Sequence, residues 1–229
     1  MQKNLAIILI AITLLSTFVG YSMKGALDTV FENVLKTSSQ QALEEGARPF
    51  NERDLKLPAV SGNGTGALAD LRVYLARGSG KVYVGIDTQN PILNPDTQDS
   101  VKIAVDVAKQ VSNRDTSKVN IYYDIESKTA AVGGRSATAA LAVATIALLR
   151  NETLKSGTLI SATIEQDGKL GPVTGVMEKA LAAKDAGFSE LIIAPGSAVE
   201  GAKTVEAQTG ITITESDNIF DAYDKMKAN

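Results

Sequence analysis

Residues 132–149 read VGGRSATAALAVATIALL. From Ala137 to Leu149 every side chain is Ala, Val, Leu, Ile or Thr, and the run is long enough for a helix of more than three turns. A helix that is apolar on all sides must be buried on all sides, so this stretch predicts a central core helix. Gly133 and Gly134 precede it and let the backbone approach a ligand closely. Ser136 then falls in the first turn, where unpaired backbone amides can bind a developing oxyanion. Ser is also an ordinary helix cap, and these residues alone leave both readings open.

On either side of that helix, strands and helices alternate. Upstream, Leu71 to Leu75 and Val82 to Asp87 read as strands. A helix follows Asp96 with Val101, Ala104, Val105, Ala108 and Val111 on one face, and Val119 to Asp124 reads as a strand. Downstream come a strand from Thr158 to Ile164, a helix from Gly175 to Ala186 ended by Gly187, and the apolar strand ELIIAP. Two further helices are separated by a short strand near Ile211. The class is α/β or α+β.

Composition narrows the chemistry. With 44% hydrophobic and 21% charged residues, 229 residues can bury one core and leave an appendage. A net charge of -3 with mixed signs offers no basic face, so no nucleic-acid partner is expected. There is no His and no Cys, which excludes Ser-His-Asp and Cys-His catalysis and thiolate or imidazole metal sites. A nucleophile in this chain must be activated by Lys, a carboxylate or an amino terminus. RGSGKV at 77–82 lacks the spacing of a phosphate loop, and no dinucleotide fingerprint occurs.

The amino-terminal residues suggest a different role. Leu5 to Met23 run uncharged between Lys3 and Lys24, so residues 1–23 are expected to be a transmembrane anchor or a signal peptide. Residues 24–66 are expected to be a stalk helix, with Leu27, Phe31, Val34 and Leu35 at helical spacing, and then a linker rich in Pro and Gly. The globular domain is expected to span 67–229.

The second chemical element is DGKLGPVTGVMEKALAAKDAG at 167–187, which sets Lys179 among apolar neighbours in a helix. A Lys that accepts a proton near neutral pH must lose roughly 3 pKa units, about 4 kcal/mol, and burial can supply that. A solvated Lys on an amphipathic helix is the commoner case, and Lys169 and Lys184 compete for the role.

Taken together, these segments resemble the proteolytic domain of Lon proteases, particularly the membrane-anchored archaeal type. In that family a Ser in a G-x-S-A motif is followed 43 positions later by the catalytic Lys, as Ser136 is by Lys179 here. GKLGPVTGVMEKALAAKDAGFSELIIAP at 168–195 follows the family pattern without a gap, and the likeness covers most of residues 67–229. The resemblance implies the Lon proteolytic fold, akin to the second domain of ribosomal protein S5. It also implies a Ser-Lys serine endopeptidase with Ser136 as nucleophile and Lys179 as base. Ser161 stands where the family has a Thr that hydrogen-bonds the Lys, and backbone amides around Gly134, Arg135 and Ala137 would stabilise the oxyanion.

The implied partners are unfolded polypeptides or peptides, cleaved without ATP or any cofactor or metal, by a homo-oligomeric ring. The domain would lie outside the cytoplasm, membrane-attached through the amino-terminal segment, or would be secreted. One departure concerns the acidic residue the family commonly carries just before the nucleophile: Gly133, Gly134 and Arg135 stand there instead. The alternatives are a non-catalytic binding or assembly module of the same fold, a protease that processes only its own stalk or linker, and an amidase or esterase acting on small molecules.

Overall fold

The computed structural model describes residues 48–85, 95–127 and 134–228, and the expected membrane segment and stalk helix lie outside them. Among the described residues no helix is long and apolar enough to cross a membrane. Among the described residues the architecture is a mixed α/β fold built around two larger sheets. The first combines β1 (Pro49–Val60), β2 (Gly66–Arg77), β3 (Val82–Gly85) and β4 (Val119–Glu126) in the order β1-β2-β4-β3, antiparallel except for β3 beside β4. The second is parallel, with β5 (Thr158–Ser161), β8 (Glu190–Ile193) and β9 (Thr212–Glu215) in the order β5-β8-β9. A two-stranded hairpin of β6 (Thr163–Ile164) and β7 (Leu170–Gly171) lies between β5 and β8 in sequence.

Among the described residues five helices accompany the strands: α1 (Pro95–Ser112), α2 (Thr138–Arg150), α3 (Val176–Asp185), α4 (Ala202–Thr209) and α5 (Ile219–Met226). Every residue of α2 from Thr138 to Leu148 is buried, as its all-apolar sequence requires. Val101, Ala104, Val105 and Ala108 of α1, Leu57, Val73 and Ile121 of the first sheet, and Ile219 and Tyr223 of α5 share its core. A second cluster joins Val176, Ala180 and Ala183 of α3 to Leu159, Leu191, Ile193 and Val205. Parallel strands need long crossovers, and α3 and α4 supply them on the way from β5 to β8 and from β8 to β9.

The expected linker corrects to structure. Residues 49–60 are not a spacer but β1, paired along its length with β2 from Pro49↔Ala76 to Val60↔Gly66, so the compact unit begins at Pro49 and not at Ala67. Pro58 lacks an amide donor and is tolerated because β1 is the edge strand of its sheet. The strand is anchored to the end of α2: Asn51 Nδ2 donates to the Leu148 carbonyl at 3.0 Å, and Arg53 Nε donates to the Glu152 carbonyl at 2.8 Å. The Leu148 carbonyl, in the last turn of α2, also accepts from the Asn151 amide, and Glu152 lies just beyond the helix, so the two bonds tie β1 to the chain at the helix end. Cleavage by this chain of its own residues 49–60 would require unzipping the hairpin.

A smaller difference concerns the strand expected from Thr158 to Ile164. It divides at Ala162, whose carbonyl accepts a hydrogen bond from the Ala139 amide at 3.2 Å, and the chain changes sheets there. The start of α2 is thereby tied to the residue immediately after Ser161.

The hairpin also touches α3. A Cβ built on Gly66 would lie 1.9 Å from the carbonyl oxygen of Glu178, closer than any real contact, so only glycine fits where β2 meets the helix. Gly66→Ala is expected to destabilise the chain by about 1–3 kcal/mol through overpacking. Gly62→Ala, whose new methyl meets nothing within 4 Å, is the control and should change stability by less than about 0.5 kcal/mol. Urea titration of the two variants distinguishes a specific contact from a general intolerance of the hairpin.

Candidate active site

Ser136 belongs to a short 3-10 turn, Arg135–Ala137, that leads into α2. The preceding Gly134 has φ 107° and ψ 158°, a combination open essentially to glycine alone, and this turns the chain sharply into the helix. The cap reading of Ser136 does not hold, because neither this turn nor α2 has a side-chain cap. Among the described residues the Ser136 hydroxyl makes no hydrogen bond, and the side chain is only partly buried. Thr138 donates its hydroxyl to the Arg135 carbonyl at 2.6 Å, while the amides of Thr138 and Ala139 are taken up by Arg135 and Ala162. The amides of Arg135 and Ser136 precede the first closed turn and have no partner within it.

Of the three competing lysines, Lys169 and Lys184 are exposed and Lys179 is buried, with 3% of its surface accessible. Among the described residues it is the one charged side chain in the buried class. Sequence explains the position: Val176, Lys179, Ala180 and Ala183 recur at helical spacing and together form the inward face of α3. The ammonium Nζ donates to Ser161 Oγ at 3.1 Å, and Ser161 is itself inaccessible. Burial of the amine pushes its pKa down from the ordinary 10.5 to about 8, against a smaller upward pull from the Glu178 carboxylate. Loss of hydration disfavours the ammonium, and a neutral amine is what a general base requires.

One cleft of about 370 Å³ brings the two segments together. Its walls include Gly134, Arg135 and Ser136 from the turn, Thr163 from β6, Pro172 to Thr174 from the loop before α3, and Lys179. Ala59 and Val60 at the end of β1 close another side. Ser161 lies behind Lys179 as its hydrogen-bond partner, and Ala137 packs against the main core and not in the cleft wall. Among the described residues no cluster of carboxylates stands ready to hold a metal ion.

Three contributors escaped the sequence reading. Ala59 and Val60 did so because Pro58 and the nearby glycines suggested a linker, although Leu55, Leu57 and Ala59 alternate as a strand should. Ser197 is buried beyond β8, and its Oγ accepts the Val173 amide at 3.1 Å, fixing the loop that lines the cleft. No local signal marks that serine, because its partner lies 24 residues away.

Among profiles of protein families, residues 93–219 match the Lon protease (S16) C-terminal proteolytic domain, a span of more than half the chain. No curated protein matches the sequence.

The depressed pKa makes Lys179 a measurable cost. Between pH 8 and 10.5 the unfolded chain binds more protons than the folded one, so this group makes stability rise with pH across that window, with no further change below it. The full effect is about 3 kcal/mol. Relative to Lys179→Met, which does not titrate, the wild type should gain about that much stability on going from pH 8 to pH 10.5 in parallel urea titrations. A difference that stays constant with pH would show that the amine keeps its ordinary pKa.

Proposed function

The chain belongs to the family of the Lon protease (S16) C-terminal proteolytic domain, and we propose that it is a serine endopeptidase working through a Ser136-Lys179 dyad without ATP. The observation that carries this reading is Lys179 itself: a buried amine with a lowered pKa, in the wall of the same cleft as a serine whose hydroxyl makes no hydrogen bond among the described residues. A structural role gives no reason to bury a lysine beside a hydroxyl when an apolar residue would cost less.

In the proposed reaction the neutral amine of Lys179 accepts the Ser136 proton as Oγ attacks the peptide carbonyl. The carbonyl oxygen becomes an oxyanion facing the amides at the start of the turn. Collapse of the tetrahedral intermediate breaks the C–N bond, and the Lys179 ammonium returns its proton to the leaving amine. An ester on Ser136 remains. Water, deprotonated by the same amine, then hydrolyses that ester and regenerates the hydroxyl. Ser161 supports Lys179 by accepting its hydrogen bond, which orients the amine without neutralising it.

The substrates in this reading are unfolded chains or peptides. The location we propose is the membrane surface outside the cytoplasm, through residues 1–23, with secretion as the variant if that segment is removed. Assembly into a homo-oligomeric ring is proposed with it. An extracytoplasmic proteolytic domain of this kind would act on exposed loops and damaged segments.

The full chain should cleave casein without ATP, and Ser136→Ala or Lys179→Ala should each reduce the rate by a thousandfold or more. The pH profile of kcat/KM should rise with an apparent pKa near 8 as Lys179 loses its proton. Folded, correctly assembled wild type that leaves casein and peptides intact across pH 6–10 would favour the binding module instead.

A further inference from the structure

We propose that Arg135 is a specificity-determining residue that selects substrates carrying an acidic side chain next to the scissile bond; the inference rests on the peptidase reading above. Arg135 immediately precedes Ser136 and lines the same cleft. Its side chain is exposed, and among the described residues its guanidinium has neither a hydrogen bond nor an ion pair. No Asp or Glu is among the described residues that line the cleft, so none of them answers that charge.

The remaining lining groups are Ala59, Val60, Pro172 and Val173, which are apolar, and Thr163 and Thr174, which are neutral. Lys179 is the other cation, but it must be uncharged to work as a base. Among the described lining residues Arg135 is therefore the permanent charge of the working cleft. A guanidinium offers a planar fork of donors that matches a carboxylate in a bidentate pair. Its backbone sits between the glycine that forces the turn and the proposed nucleophile, so the fork is rooted within a residue of the reacting atoms.

Long-range attraction does not mimic this selection, because the whole chain carries a net charge of -3 and repels acidic peptides. A preference for them would have to arise locally. At a partly solvated rim such a pair is modest, and the expected discrimination between Glu and its neutral isostere is about 3- to 10-fold at low salt.

The test uses three unstructured fluorescent peptides of one sequence, carrying Glu, Gln or Lys at every second position, so that the variable residue flanks whichever bond is cut. Binding is measured with full-length Ser136→Ala, and cleavage with the wild-type catalytic serine. Each is run with Arg135 intact, with Arg135→Gln, and with the Arg135→Glu charge reversal. The ratio of Glu to Gln peptide is read within each variant, so a general loss of activity does not affect it. The expected ratio is about 3–10 with Arg135, near 1 in Arg135→Gln and at 1 M salt, and Arg135→Glu should favour the Lys peptide. A Glu-to-Gln ratio near 1 with Arg135, a ratio unchanged in Arg135→Gln, or equal or absent binding without cleavage overturns the inference. Selective binding without cleavage by the wild type would sink the peptidase reading and leave Arg135 as the selector of a binding cleft. Cleavage with no selectivity would do the reverse.

Discussion

The complete burial of α2 is the constraint to which the other elements answer. Leu141, Val143, Ile146 and Leu148 alone contribute roughly 6–12 kcal/mol when taken out of water, comparable to the whole net stability of an ordinary domain. A helix with no polar face cannot lie on a surface, so it needs cover on every side. The sheet of β1, β2 and β4, the helices α1 and α5, and residues of β5 and β6 provide it. The alanines between the larger side chains let those elements approach closely. The same helix begins two residues after Ser136, so a fully buried element holds the nucleophile candidate in place.

Lys179 runs against that economy. Its burial costs about 3 kcal/mol near neutral pH, and its only hydrogen-bond partner among the described residues is a serine, not a carboxylate. A nearby acid inside the cleft would repay the cost and raise the pKa again, which would remove the basicity the dyad needs. Glu178 is placed beside Lys179 in sequence yet does not line the cleft, and its upward pull is the smaller effect. The unfavourable placement is thus coherent with chemistry and has no evident structural use. Positions where local preference and global fold disagree in this way are where function is best sought.

Much of this was legible in the sequence because the decisive signals are local. The uniform apolarity of residues 137–149 specified a buried helix, and the spacing of Val176, Lys179, Ala180 and Ala183 placed the lysine on an apolar face. The Ser-to-Lys separation carried the family resemblance, and the profile match over 93–219 agrees with it. The errors came where long-range partners decide. Pro58 and the surrounding glycines read as a linker because sequence does not reveal that β2 waits to pair with them. Ser136 read equally well as a cap, and only the hydrogen bonds of the turn exclude that. Ser197 was invisible, since its function depends on a backbone amide far along the chain.

The hairpin that reads as a linker alters how the site is understood. Val60 stands where a Cβ on Gly175 would lie 2.5 Å from it, while Gly66 meets the carbonyl of Glu178, so the hairpin touches both the start of α3 and the residue before Lys179. Two glycines, one on each partner, are what permit that approach. Ala59 and Val60 then form part of the cleft wall. A fragment beginning at residue 67 would lose this wall, uncover the edge of β2, and strip the Asn51 and Arg53 partners from the end of α2. Absence of activity in such a fragment would therefore say nothing about Ser136 or Lys179. The segment that resembled a tether is one of the surfaces from which the cleft is built.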